Sequence, residues 1–145
     1  MIDYLAIEVS LLLAVALASL RALAFLVAVA VIAVGLLEIF NYVAHYGFSR
    51  RAGPDGDAER LGPQHSWNSG RRMNNAALFN MGRHSDHHRR PTRPYERLEA
   101  LSDAAELPSG YAAALLTALV PPLWRRVMDR RAEAVTAGRL PSRRK

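Results

Sequence analysis

The sequence predicts an all-α membrane protein, with two transmembrane helices followed by a cytoplasmic helical region. The apolar residues are concentrated in the first third of the 145-residue chain, whereas all but Arg21 of its 19 Lys and Arg residues lie at or after Arg50. Apolar blocks at residues 4–20 and 22–43 are each close to the roughly 20 residues that cross a bilayer as a helix. Helices are favoured for these blocks because backbone groups in lipid must be paired internally.

The basic residues also predict the orientation of the chain in the membrane. Loops rich in Lys and Arg stay on the cytoplasmic side, so residues 48–145 are expected in the cytoplasm. An even number of crossings then returns the N-terminus to the same side. Met1-Ile2-Asp3 lacks the basic start of a secretory signal, and the absence of cysteine fits a cytoplasmic location. We therefore expect a multi-pass protein of the inner membrane with both termini cytoplasmic.

Three segments are expected along the chain. Residues 1–47 form a transmembrane helical hairpin, although no Gly or Pro marks its turn near Ser19-Leu20-Arg21. Residues 48–131 form a histidine-bearing cytoplasmic region that begins with a turn-rich loop at 49–63. Residues 132–145 form a basic tail without periodicity, which we expect to be loosely ordered.

The histidine-bearing region is expected to contain one long helix and one short interfacial helix. Asn68 or Ser69 is the predicted cap of the long helix, which ends before Pro91. Five residues recur at three- and four-residue intervals and are therefore expected on one face of this helix: Met73, Ala77, Asn80, His84 and His88. The apolar run 111–120 is too short to cross a bilayer. With Trp124 and two arginines after it, this run is expected at the membrane interface or packed on the metal domain.

Four of the five histidines are candidate metal ligands. His45 ends the second apolar block, and His84, His87 and His88 occur in the sequence RHSDHH. Residues at i, i+3 and i+4 share one helical face, so three imidazoles from one helix can converge on one or two metal ions. A solvated polar face is the alternative interpretation. Imidazole ligates both zinc and iron, so this spacing alone leaves the metal open.

Two residues before His45 are candidate supporting groups. Glu38 and Asn41 lie on the same side of the predicted helix as His45, at i, i+3 and i+7. Ionisable groups inside a membrane are costly and usually face a functional cavity. A carboxylate or amide beside the non-ligating ring nitrogen orients an imidazole ligand. The alternative for Glu38 is pairing with Arg21 or with a lipid headgroup.

Several motifs resemble, in order and spacing, the C-terminal portion of integral-membrane alkane 1-monooxygenases. They are NYVAHYG at 41–47, QHSWNS at 64–69, GRHSDHH at 82–88, PTR at 91–93, and LPSGY with PPLWRRVMD at 107–129. The similarity covers roughly residues 22–131. Because separate motifs match in register, the resemblance is more specific than one histidine box.

The resemblance implies a non-haem di-iron centre, held almost wholly by histidines, that hydroxylates the terminal methyl of alkanes with O₂. It implies a rubredoxin as electron donor. His45 matches the histidine of the family's NYxEHYG motif, and the ligands of its last box match His84, His87 and His88. For the HSWNS segment we assign supporting roles to His65, Trp67 and Asn68. An ordinary surface histidine is the alternative for His65.

This sequence also departs from the family pattern. Ala44 stands where the family motif has Glu, Gly82 replaces the usual Gln, and Gly70-Arg71-Arg72 differs after HSWNS. The earlier HExxH and EHxxHH boxes do not occur in it. We therefore expect an incomplete iron site that does not turn over alkane alone. A complementary N-terminal half or a homo-oligomer would supply the remaining ligands.

Two other classes of function compete with this one. The chain also fits a truncated, non-catalytic membrane remnant whose basic cytoplasmic region binds anionic lipid. Nucleic-acid binding is disfavoured because the arginine pairs are scattered and no stacking aromatics interleave with them. For a separate acidic electron donor, we expect docking near Arg50–Arg51 and residues 89–97.

Overall fold

The computed structural model describes residues 2–50, 52–53 and 55–138, and these residues are mostly helical, as predicted. Two compact units are distinguished, Met1–Glu38 and Ile39–Lys145. The helices are α1 Ile2–Ala18, α2 Leu20–His45, α3 Arg72–Ala77, α4 His84–Arg89, α5 Tyr111–Ala118 and α6 Pro121–Thr136. Single 3₁₀ turns occur at Pro63–His65 and Tyr95–Arg97.

The first unit contains α1 and most of α2, joined at Ser19. The backbone N–H of Ser19 donates to the Val15 carbonyl (2.9 Å), and its own carbonyl accepts from Leu23 N–H (3.1 Å). Both bonds follow the i to i−4 pattern of an α-helix. The expected reversing turn of a hairpin is therefore not formed here, in keeping with the lack of Gly and Pro at this point.

Among the described residues, α2 is the one helix long and apolar enough to cross a membrane. It has 26 residues, and its most apolar stretch, with a mean hydropathy of 2.8, is not buried within the structure. The 17-residue α1 is equally apolar but shorter. One candidate span is thus observed where two were predicted, and passage of α1 through a bilayer stays a prediction.

The second unit packs the end of α2 against the segments that follow it. Its core is formed by buried aromatic and aliphatic side chains, most of them less than 2 % exposed: Val43, Trp67, Tyr111, Trp124 and Met128. Phe40, in the penultimate turn of α2, stacks on Tyr111 with ring centroids 4.7 Å apart. This core fixes the position of the last turns of α2, including His45.

The predicted long helix between Ser69 and Pro91 is wrong. The chain instead forms α3 and α4, separated by a turn in which Phe79 and Asn80 have positive φ angles of 47° and 59°. An α-helix cannot continue through left-handed residues, and asparagine is one of the few side chains that tolerate that conformation. The Asn80 N–H bonds to the Asn75 carbonyl (2.7 Å), which closes the turn.

Asn68 lies in a short strand and not at a helix cap. Strand β1, Trp67–Asn68, pairs in parallel with β2, Ala105–Glu106, so that Trp67 lies opposite Ala105. The Leu107 N–H extends this pairing to the Asn68 carbonyl at 2.8 Å. The HSWNS segment is thereby attached to the residues that lead into α5.

The C-terminal part of the structure matches the sequence-based prediction at α5 and differs from it at α6. The apolar run forms α5 as expected, and Pro121 begins α6, where a missing N–H costs no helical hydrogen bond. This helix continues to Thr136, and Ala132 is buried at 7 % exposure. The boundary placed at residue 132 is therefore wrong, because Ala132 completes the buried stripe of α6. The rest of the predicted tail, from residue 139, lies outside the described residues.

Candidate metal centre

Three imidazoles from two helices converge in the second unit. His45 comes from the last turn of α2, and His84 and His88 come from consecutive turns of α4. Their ring centroids are 4.5–5.2 Å apart. One ligand atom from each lies within 4.8 Å of the others. The i, i+4 spacing in RHSDHH therefore brings the rings of His84 and His88 together, although α4 is only six residues long.

The nitrogen positions fit a shared metal ion. Nε2 of His45 and Nε2 of His84 are 3.3 Å apart. Two imidazole nitrogens bound to one metal at about 2.0–2.1 Å are separated by about 3.0–3.4 Å. Within the described residues, Nδ1 of His84 and Nε2 of His88 are buried without a hydrogen-bond partner. An orphaned polar atom is costly inside a protein, and a cation between the three rings would satisfy Nε2 of His88. Nδ1 of His84 lies across its ring from the Nε2 that faces His45, so the same cation does not reach it.

The tautomer of His45 is fixed by a backbone group. Its Nδ1 lies 2.7 Å from the carbonyl oxygen of His65. A carbonyl only accepts, so Nδ1 carries the proton and donates it. In the neutral ring, Nε2 then has a free lone pair directed at the cluster, which is the arrangement that second-shell partners impose on metal-bound histidine.

Burial keeps the imidazoles of His84 and His88 uncharged. Burial, followed by the nearby imidazoles of His88, His45 and His87, lowers the pKa of His84 to about 3. Burial and the neighbouring histidines, with His45 the strongest, lower the pKa of His88 to about 4. Both rings are therefore neutral at pH 7, the form that binds a metal.

The fourth predicted ligand, His87, lies beside the trio. Its ring centroid is 5.7 Å from that of His84 and 5.9 Å from that of His88, and the residue is half-buried. Of the predicted supporting residues before His45, Glu38 and Asn41 have exposed side chains. Ligation by His87 and the supporting roles of Glu38 and Asn41 stay predictions.

The two residues of β1 connect α2 and α4, the two helices that carry the imidazoles. The indole Nε1–H of Trp67 donates to the Tyr46 carbonyl at 2.8 Å, directly after His45. The side-chain oxygen of Asn68 accepts from the Ser85 N–H at 2.8 Å, directly after His84. β1 therefore fixes the distance between the end of α2 and the start of α4.

Ser85 is the centre of a buried polar network that the sequence did not reveal. Its hydroxyl donates to the Pro63 carbonyl (2.6 Å) and so accepts from Asn68 Nδ2 (2.6 Å) and from the Ser66 hydroxyl (2.9 Å). Ser66 and Ser85 are fully buried. Fully satisfied networks of this kind rigidify a core, and this one links the QHSWNS segment to α4.

Asp86 anchors the other side of α4. Its carboxylate is fully buried and accepts from Arg93 Nη1 (2.8 Å) and from the Glu99 N–H (2.9 Å). Burial would raise the pKa of Asp86, but these donors and the charge of Arg93 outweigh it and hold the pKa below its usual value. Ser85 and Asp86 stand between histidines in RHSDHH, and two small polar residues within a ligand motif are the signal that sequence reasoning missed.

Two departures from the family pattern are buried. Ala44 is fully buried in the core of the second unit. Gly82 lies where an added Cβ would meet Asn75 Oδ1 at 2.5 Å. A longer side chain at either position therefore requires its surroundings to differ from those observed here.

The fold and the cluster together define a helical protein with three imidazoles close enough to bind one metal ion. One of the three imidazoles comes from a membrane-length helix. The chain belongs to the fatty acid desaturase family, whose pattern it matches over residues 1–118. This assigns it to a membrane-associated family of oxidoreductase type.

Similar curated proteins are alkane 1-monooxygenases. Alkane 1-monooxygenase 1 of Pseudomonas aeruginosa is 51 % identical over 114 residues, which cover 79 % of this chain and 30 % of that protein. Alkane 1-monooxygenase of Acinetobacter baylyi is 49 % identical over 107 residues, 74 % of this chain and 26 % of that protein. The chain thus spans less than a third of the relatives that it matches, and the predicted resemblance is confirmed.

Proposed function

We propose that this chain carries part of the iron site of a membrane alkane hydroxylase. The observation that carries the proposal is the convergence of His45, His84 and His88, with Nε2 of His88 buried and without a protein partner. His87 is the proposed fourth ligand. The proposal is supported by similarity to alkane 1-monooxygenases at about half of the aligned positions.

Bound iron would supply the oxygen and electron chemistry that no side chain provides. The residues of this chain bind and orient it. The carbonyl of His65 keeps Nδ1 of His45 protonated, β1 sets the spacing of the two ligand-bearing helices, and burial keeps the imidazoles of His84 and His88 neutral. The proposed substrate is the terminal methyl of an alkane.

A non-haem di-iron centre needs more donors than four imidazoles. We therefore propose that further ligands come from another chain segment, from a separate N-terminal half or from a second copy. Iron analysis of the detergent-solubilised chain tests this: weak binding without alkane hydroxylation is expected. Near two irons per chain, together with hydroxylation, would contradict it.

Cobalt(II) titration of the solubilised chain tests the ligand assignment. Substitution His84→Ala or His88→Ala should weaken binding by more than the roughly 10–100-fold that loss of an outer partner causes. The exposed neighbour Arg89→Ala is the matched control and should leave it unchanged. Equal affinity in all three variants would remove the basis of the proposal. Elemental analysis of the metal that co-purifies with the chain then decides whether the site binds iron or zinc.

A separate rubredoxin-type donor is the proposed source of electrons, with the basic region of the second unit facing the cytoplasm. Arg89 is exposed, whereas Arg90 lies 3.8 Å from both Asp86 and Glu99. Arg89→Glu in a complete enzyme is therefore the cleaner test than reversal at Arg90. Slower reduction by the donor is expected, and an unchanged rate would reject docking there. Of the other docking residues proposed from sequence, Arg51 lies outside the described residues.

The lipid-binding, non-catalytic alternative predicts different behaviour. Exposed arginines on α6 favour contact with anionic lipid. Liposome binding that is unchanged after the histidines are replaced, combined with the absence of any metal binding, would favour this alternative.

A further inference from the structure

The corner between α5 and α6 exposes an apolar surface. We call this surface the α5–α6 corner and define it by residues that are each 37–69 % exposed: Leu116, Leu119, Val120, Leu123 and Val127. No charged residue occurs between Tyr111 and Trp124. An apolar patch of this kind on a folded unit marks a contact with a partner or a membrane.

The inward side of α5 is already occupied. Tyr111 and Ala114 are buried in the core, and Leu115 and Ala118 pack against it. The opposite side of the same helix is nevertheless apolar, with Leu116 69 % exposed and Leu119 60 % exposed. A helix that is apolar on all sides is not a water-facing element, so its outer side needs an apolar medium.

The α5–α6 corner is attached to the end of the membrane-length helix. Phe40 of α2 stacks on Tyr111 of α5 at 4.7 Å, and Tyr42 contacts Trp124 of α6 with ring centroids 6.2 Å apart. α5 and α6 therefore pack against the last two turns of α2. Aromatic residues clustered at the end of a membrane-length helix are typical of the membrane–water boundary.

The outer face of α6 combines apolar and basic side chains. Leu123 and Val127 share this face with Arg126 and Arg130, at i+3 and i+7 from Leu123. A helix that lies in the headgroup region has this composition, because its apolar side chains reach the acyl chains while its arginines extend to the phosphates.

We propose that the α5–α6 corner inserts into the cytoplasmic leaflet of the same bilayer that α2 spans, with Arg126 and Arg130 at the level of anionic headgroups. This contact is independent of metal binding. It makes the histidine-bearing unit a monotopic attachment in addition to its connection through α2.

The chain has no cysteine, so single cysteines can be placed and labelled with an environment-sensitive fluorophore. The variants are Leu119→Cys and Leu123→Cys at the corner. Glu133→Cys is the control, exposed and about 15 Å further along α6. The full chain is reconstituted in vesicles of phosphatidylcholine with a quarter phosphatidylglycerol. Fluorescence of the buried tryptophans checks that each variant is folded.

Labels at Leu119 and Leu123 should be quenched by nitroxides attached near the lipid headgroup at least roughly threefold more than the label at Glu133, with blue-shifted emission. Aqueous iodide should show the reverse order. Corner labels as accessible to iodide as the Glu133 label would overturn the proposal. Labels protected from both quenchers would also overturn it, because a second copy or another protein segment then covers the corner.

Discussion

The backbone carbonyl of His65 accepts a hydrogen bond from Nδ1 of His45 at 2.7 Å. His65 is itself fixed, since its Nδ1 accepts from the Gly62 N–H at 3.0 Å and its Nε2 lies 3.7 Å from Glu59. Its imidazole thus holds the turn, and its carbonyl holds the ligand. We therefore propose that His65 supports the ligand His45 through its main-chain carbonyl and not through its imidazole.

We predict that His65→Ala weakens cobalt(II) binding by roughly 10–100-fold, the usual effect of losing an outer partner of a ligand. The substitution retains a carbonyl but releases the turn that aims it. Gln64→Ala, at an exposed position of the same 3₁₀ turn, is the control and should bind as the parent does. An unchanged affinity in His65→Ala would show that the carbonyl is held by other means.

Asp86→Asn should destabilise the second unit by about 1–3 kcal/mol, because it removes the charge that Arg93 and the Glu99 N–H solvate in a fully buried position. Thermal unfolding in detergent, followed by tryptophan fluorescence, measures the change. Asp103→Asn replaces an exposed carboxylate and should have no comparable effect. Equal stability of the two variants would contradict an anchoring role for Asp86.

The stability of the metal-free protein should fall as the pH is lowered from about 6.5 to about 4. Folding lowers the pKa of His84 from 6.5 to about 3, so between these values the unfolded state binds a proton that the folded state does not. This group therefore reduces stability by at most about 1.4 kcal/mol per pH unit, and has no effect above 6.5. His88 acts in the same direction.

Unfolding by denaturant at a series of pH values measures this dependence. In His84→Asn the slope between pH 6.5 and 4 should be smaller, since one buried neutral imidazole is gone. A parent protein with equal stability at both ends of this window would contradict the low pKa of the cluster.

Gly47→Ala and Gly56→Ala separate backbone strain from steric overlap. Both glycines have positive φ, 77° and 81°, but an added Cβ would overlap Ala132 Cβ at Gly47, whereas nothing lies within 4 Å at Gly56. Gly56→Ala should cost about 1–2 kcal/mol from strain alone. Gly47→Ala should cost about 1–3 kcal/mol more, because α6 must move away. Comparable unfolding temperatures of the two variants would show that backbone strain, and not overlap with Ala132, determines the loss of stability.

Periodicity and motif spacing predicted the ends of α2 and α5 and the pairing of His84 with His88. Local composition was less informative where tertiary contacts decide the conformation. Asn75 and Asn80 end α3 through backbone bonds that no helical pattern contains, and Trp67–Asn68 becomes a strand only because residues 105–106 lie beside it. Hydrophobicity alone also did not distinguish a hairpin from helical continuity at Ser19.

The Tyr111 hydroxyl donates to the Trp67 carbonyl at 2.6 Å, and the side chain of the next residue, Asn68, holds Ser85. A displacement of α5 therefore reaches the first turn of α4 through two residues of one strand. Bilayers of different thickness that shift this helix are expected to alter the spacing of the nitrogen donors, which would make lipid composition a determinant of how tightly the cation is retained.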